Sequence, residues 1–269
     1  MNRTLTLPTL LFIAFAFAAC SGGSGPEAES IVDDTTAPAG DESGPDLRTL
    51  LASENRAAPD RARDEGRRPA DVVEFLGIEP GMRVIDLIAA GGYYTEVLSL
   101  AVGEGGHVVA QNSPAVLQMR DGANEKAISA RLADNRLPNV SRMNKSVADL
   151  LPEDGPFDAA VTALNFHDIY NRRGAEATVG ALQKITSILK PGAVLGIIDH
   201  VGEAGADNAA LHRIEIVHVL EIIEAAGLIV ESDNDLLRNE ADDHSLFVFD
   251  ESVRGKTDRF LLKIRTPTE

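Results

Sequence analysis

From residue 69 onward the chain alternates short apolar runs with longer amphipathic stretches, and turn residues separate them. Pro69 suits the first turn of a helix, and Val72, Val73, Phe75 and Leu76 give that helix an apolar side before Gly77 stops it. A Pro-Gly turn at 80–81 leads into the continuous run Val84, Ile85, Leu87 and Ile88, the signature of a strand buried on both faces. A loop of small residues follows, and an amphipathic helix begins near Tyr93. Strand, glycine loop and helix in this order form the first half of a nucleotide-binding βαβ unit.

The alternation continues to the end. Strands are predicted at His107 to Gln111, Val140 to Asn144, Asp158 to Leu164, Ala193 to Asp199, Leu228 to about Ser232, and Phe260 to Arg265. Helices are predicted over Pro114 to Ala133, about Gly174 to Leu189, and Asn208 to Ala226, the last stopped by Gly227. Lys190-Pro191-Gly192 separates a helix from the strand after it. Strands alternating with helices call for an α/β fold, a Rossmann-like doubly wound sheet with helices on both faces. The stretch from Arg238 to Lys256 reads as an insertion before the last strand.

The first 46 residues have a different character. Residues 1–20 carry one positive charge, Arg3, then an apolar stretch from Leu10 to Ala19 and the chain's single cysteine, Cys20. This reads as a secretory signal, too short to span a bilayer. Residues 21–46 are rich in Gly, Ser, Pro and acidic side chains and read as a disordered acidic tether, which leaves 47–269 for the folded domain. One cysteine excludes a disulfide within the chain. The formal charge of −17 argues against nucleic acid or anionic headgroups as partners and is explained by solubility.

Four segments resemble the class I S-adenosylmethionine-dependent methyltransferases: VIDLIAAGGYYTEVL, PFDAAVTALNFHD, LKPGAVLGIIDH and AAGLIV, in that order. The segments RARDEGRRP and RGKTDRFLLKIRTP also look like the predicted secreted methyltransferases of bacteria. The resemblance implies a sheet of about seven strands, mostly parallel with the last one antiparallel, and S-adenosyl-L-methionine as cofactor for a small-molecule substrate. Ala18, Ala19 and Cys20 resemble a lipoprotein box. That likeness implies a lipid on Cys20 that anchors the protein to a membrane of the bacterial envelope, with the outer membrane facing the periplasm as the expected place. Plain cleavage by a signal peptidase is the other outcome.

In this fold the ligand lies across the carboxyl ends of the strands, where backbone must approach it closely. The family pattern Asp-x-Gly-x-Gly-x-Gly falls on Asp86, Ile88, Ala90 and Gly92, with Gly91 alongside, so two of the glycines are replaced. The resemblance gives Asp86 the amino-acid end of the cofactor and lets Tyr94 and Thr95 close over it; Tyr93 fits a core anchor equally well. Asn112 takes the ribose position, where a carboxylate would bind more strongly. Ser146 takes the adenine position, with Asp149 near it. Asn165, His167, Asp168 and His200 face the substrate side, and His167 or His200 is the candidate general base.

His212, Glu215 and His218 are predicted to share one helix face, but their spacing differs from the four-residue step of a HExxH zinc helix, so no metal is expected. Arg56, Arg63, Asp64, Arg67 and Arg68 form a charged opening segment, either a solvated face or a substrate lid. Three functions compete. They are methyl transfer, a non-catalytic descendant of the fold that binds a metabolite or protein partner, and a nicotinamide-dependent oxidoreductase. The broken glycine pattern and the lack of a Tyr-x-x-x-Lys pair disfavour the last.

Overall fold

In a computed structural model, described for residues 46–268, seven strands form one sheet in the order β3-β2-β1-β4-β5-β7-β6. The strands are β1 (Arg83–Leu87), β2 (His107–Gln111), β3 (Val140–Met143), β4 (Phe157–Ala163), β5 (Leu189–His200), β6 (Ile229–Asn234) and β7 (Arg259–Arg265). The pairs β3-β2, β2-β1, β1-β4 and β4-β5 are parallel, and β7 runs antiparallel between β5 and β6. The chain moves outward from β1 in one direction and from β4 in the other. The switch point therefore lies between β1 and β4, where a crevice opens at the strands' carboxyl ends.

The helices are α1 (Leu47–Ala52), α2 (Ala58–Arg67), α3 (Pro69–Leu76), α4 (Tyr93–Val102), α5 (Pro114–Leu132), α6 (Phe166–Thr186), α7 (Asn208–Leu211) and α8 (Ile216–Ala225). Period-two alternation sends successive strand residues to opposite faces. Val84, Val108, Val161, Val194, Ile198 and Leu261 pack with α3 and α4, while Ile85, Val109, Leu195, Ile197 and Leu262 pack with α6 and α8. Each fully buried aliphatic side chain of this kind contributes about 1.5–3 kcal/mol of hydrophobic free energy. Gly196 lets α3 approach β5, since a Cβ there would sit 2.6 Å from Leu76 Cδ1.

The structure differs from the sequence pattern in the helices. The stretch Asn208 to Ala226 is not one helix but α7 and α8, broken at His212, whose backbone is left-handed at φ 56°. The residues after the break rejoin the sheet, where Ile214 N–H donates to His200 O and Gly202 N–H donates to Ile214 O. At the break Arg213 turns inward. It is fully buried and forms a two-pronged pair with Asp242, both contacts at 2.9 Å, and also donates to the carbonyls of Val201 and Leu246.

Helix α6 starts at Phe166, earlier than Gly174, and bends where Gly174 leaves helical geometry. Helix α5 is interrupted from Met119 to Gly122. Strand β5 begins at Leu189, ahead of the Lys-Pro-Gly turn. The 238–256 insertion contains no strand; Asp242 within it and Asp258 just after it hold it in place. Asp242 accepts from Asp258 N–H, and Asp258 accepts from Arg238, Asn239 N–H and His244. The signal segment, Cys20 and nearly all of the tether lie outside the described residues. No described helix is long and apolar enough to cross a membrane.

Candidate functional site

Four strand ends, those of β1, β2, β4 and β5, and the starts of two helices build the site. The loop from β1 to α4 turns with positive φ at Ile88 (52°), Ala90 (49°) and Gly92 (82°). Left-handed backbone costs a residue with a Cβ about 1–2 kcal/mol, and a β-branched residue such as Ile88 is the least suited to it. The loop thus has the geometry that glycines ordinarily supply at two positions occupied by residues with a Cβ. Gly92 has a further reason to remain, because a Cβ there would lie 2.5 Å from Ile128 Cδ1 on α5.

Side chains at the end of β2 hold this loop. Gln111 Oε1 accepts from Ile88 N–H at 2.9 Å. Asn112, 1% exposed, accepts from Ala90 N–H at 2.8 Å and donates to Ala90 O at 3.2 Å. From α5, Arg131 Nε donates to Gly91 O at 2.9 Å, and its other end reaches Asp60 and the buried Glu96. The residue expected to meet a ribose is therefore committed to the loop. Ser146 caps the turn after β3, with its hydroxyl accepting from Ala148 N–H.

Asp86, 3% exposed, accepts from the Thr95 hydroxyl at 2.6 Å. Burial pushes its carboxyl up to about 7, against the opposing pull of Thr95 and of Arg131 and Arg67. Tyr94 is buried beside it, and burial likewise raises its phenol to about 12. Tyr93 faces the opening segment, donates to Asp64 at 2.6 Å and carries the guanidinium of Arg67 over its ring at 4.3 Å. Arg56 is 3% exposed and also pairs with Asp64. Asp64 and Arg67 of α2 thus meet Tyr93 at the start of α4, while Arg63 and Arg68 stay exposed, Arg63 pairing with Asp60 and Arg68 with Asp71.

On the other side of the switch point, Asn165 follows Leu164, another left-handed residue at φ 62°, and its side chain reaches the carbonyls of Ala163 and Ile88. Asp199 at the end of β5 caps α6 by accepting from His167 N–H at 2.7 Å, an otherwise unpaired first-turn donor. Its second oxygen accepts from His167 Nδ1–H at 2.7 Å and His200 N–H at 2.8 Å. Burial alone would raise the Asp199 carboxyl, but His167 and His200 hold it below its ordinary value.

The two candidate bases now separate. Burial depresses His167, yet the charge and hydrogen bond of Asp199 outweigh this and leave its pKa raised. Its Nε2 points to His212 Nδ1 at 3.3 Å. His200 is 8% exposed, is tied through Nδ1 to the Thr257 hydroxyl at 2.7 Å, and is driven down to about 3 by burial. Of the two, His200 is the less basic, which makes it the poorer proton acceptor. The predicted trio of His212, Glu215 and His218 also comes apart, because the helix breaks at its first member. His212 turns to His167, while His218 stacks on Tyr170 with ring centroids 5.4 Å apart. Arg213 and Asp242 had no signal in the sequence.

No protein-family model matches the chain. A ubiquinone/menaquinone biosynthesis C-methyltransferase from Azotobacter vinelandii is 26% identical over 194 residues, 71% of this chain and 66% of that protein. The chain thus spans just under two thirds of that relative's length. Among solved structures, an S-adenosylmethionine-dependent methyltransferase from Aquifex aeolicus superposes with a TM-score of 0.55 at 22% identity, covering 81% of this chain and 96% of that one. The [4+2]-cyclase SpnF superposes with a TM-score of 0.56 at 19% identity, covering 83% and 93%. These likenesses establish the Rossmann-like methyltransferase fold.

Proposed function

We propose that this protein is an S-adenosylmethionine-dependent methyltransferase that acts on a small molecule. One observation carries the reading: the β1–α4 loop retains left-handed backbone at Ile88, Ala90 and Gly92, beside the buried carboxylate of Asp86. That combination suits a ligand at the switch point, with Asp86, already bonded to Thr95, placed to meet the cofactor's ammonium group. The cofactor supplies an electrophilic methyl group on a sulfonium. Asn165 and His167, on the neighbouring strand end, face the acceptor side, where alignment of the two reactants supplies much of the rate. The Azotobacter relative supports the same chemistry.

A second reading has its own observation. Both hydrogen-bonding groups of Asn112 are spent on Ala90, so this position offers a ribose no carboxylate. A descendant of the fold that binds a metabolite or protein partner without methyl transfer fits that arrangement, and SpnF carries the same architecture under another activity. Calorimetry of the purified chain with S-adenosylmethionine and its demethylated product separates the two. Binding that Asp86→Ala abolishes supports the first; no binding of either compound at millimolar concentration removes it. For location, the apolar run before Cys20 supports export and lipid anchoring in the bacterial envelope. Mass spectrometry of the mature N-terminus tests this, and an unmodified Cys20 would refute it.

A further inference from the structure

We infer that His167, Asp168 and His212 form a binding site for a divalent transition-metal ion at the carboxyl end of β4. The three side chains bring their donor atoms within 4.8 Å of one another. His167 Nε2 and His212 Nδ1 are 3.3 Å apart. Two imidazole nitrogens bound to one zinc ion at about 2.0–2.1 Å, at a near-tetrahedral angle, lie about 3.3 Å from each other. The carboxylate of Asp168 stands 3.8 Å from His167 Nε2 and 3.7 Å from His212 Nδ1. Asp168 is about one-third exposed and pairs only loosely with the exposed Arg172 at 3.4 Å, so a small side-chain rotation brings an oxygen inward.

The surroundings of His167 are those of a metal ligand. Its Nδ1–H donates to the buried Asp199, which fixes the tautomer and leaves the Nε2 lone pair directed at His212. Carboxylate, histidine and metal in series is the usual outer-shell arrangement of such sites. His212 is held rigidly as well. Its left-handed backbone is anchored by the neighbouring Arg213–Asp242 pair, and the rings of Phe247 and Phe249 flank it at 5.4 and 5.8 Å. Two histidines and one carboxylate leave open coordination positions and favour zinc, iron(II) or cobalt(II) over magnesium or calcium.

If methyl transfer is the activity, an oxygen-bearing acceptor bound at an open position would lose its proton more readily, as metal-bound water does. His167 Nε2 is then a ligand and cannot also serve as base. That clause rests on the proposed function; the metal site itself does not.

The test is a cobalt(II) titration of the full chain, purified without a histidine tag and stripped with EDTA, in the absence of S-adenosylmethionine. Expected are a visible d–d absorption that saturates at one ion per chain and displacement by zinc. His212→Ala and Asp168→Ala should abolish the band with the circular dichroism of the fold intact. Asp199→Asn should weaken affinity by about 10- to 100-fold, as outer-shell changes do. His218→Ala, on α8 and outside the trio, should bind normally. No absorption band, or binding that survives His212→Ala, or equal loss in His218→Ala, would overturn the assignment whether or not the protein binds S-adenosylmethionine.

Discussion

The side-chain amide of Asn112 grips the peptide of Ala90 at both ends, accepting from its N–H at 2.8 Å and donating to its carbonyl at 3.2 Å. This pair fastens the β1–α4 loop to the end of β2, where the two strands are parallel neighbours. Asn112→Ala removes both bonds and leaves a partly buried N–H without its partner, so a loss of about 1–3 kcal/mol is expected. Urea unfolding measures it. Affinity for S-adenosylmethionine should fall as well, because the loop loses its brace. An unchanged unfolding midpoint would show that the loop holds its shape without Asn112.

Ala90 itself gives an opposite prediction. Its φ of 49° is costly for a residue with a Cβ, by about 1–2 kcal/mol, whereas glycine gives back about 0.5–1 kcal/mol in unfolded-chain entropy. Ala90→Gly should therefore stabilise by about 0.5–1 kcal/mol, and Ala90→Val should destabilise by more than that. The same urea experiment checks both. A Gly variant less stable than the parent would mean that the left-handed turn is not strained.

Much of this was visible in the sequence, for identifiable reasons. The strands β1, β2, β4 and β7 are compact apolar runs bounded by turn residues, and each falls within a residue or two of its expected place. The loss of two glycines was equally plain, but the retained left-handed geometry was not, because Gln111 and Asn112 enforce it from another strand. The stretch 208–226 reads as one amphipathic helix. At its break Arg213 pairs with Asp242, 29 residues away, and no local pattern announces such a pair. The meeting of His167 with His212, 45 residues apart, follows from that break and was hidden with it. The arginine-rich opening segment showed its charge but not that Arg56 would be buried against Asp64 and Leu51 O.

Asp86 links stability to pH in a direction that can be worked out. Its carboxyl sits at about 7 in the folded protein, against an ordinary value of 3.8. Between those values the folded state keeps a proton that the unfolded state releases, so this group's contribution is fully present below about pH 4 and is lost as pH rises through 7. Asp86→Asn keeps an acceptor for Thr95 without the buried charge. The variant should be more stable than the parent at pH 8, by at most about 4 kcal/mol, and the difference should close toward pH 4. Urea unfolding at pH 4.5, 6 and 8, about the span of that titration, reads this out. Cofactor affinity should drop in the same variant, the usual conflict between a stable and a functional side chain. A stability difference that does not vary with pH would sink the assignment.

The Arg213–Asp242 pair sets the shape of the site from behind. Removing one partner from a buried ion pair commonly costs about 3–5 kcal/mol, because the other charge is left without compensation. Arg213→Met should fall in that range, since Asp242 would keep only backbone donors, Asp258 N–H and His244 N–H. Asp242→Asn should destabilise as well, because the buried Arg213 loses its counter-charge and the new amide NH2 faces the donors of Arg213 and His244, although its oxygen can still accept from Arg213 and Asp258 N–H. Both changes act through the backbone on His212, the residue before Arg213, so the cobalt absorption should shift or weaken in Asp242→Asn even where the fold survives. Thermal unfolding monitored by circular dichroism measures both. If Arg213→Met stays within about 1 kcal/mol of the parent, the pair is not what breaks the helix between α7 and α8, and the placement of His212 needs another cause.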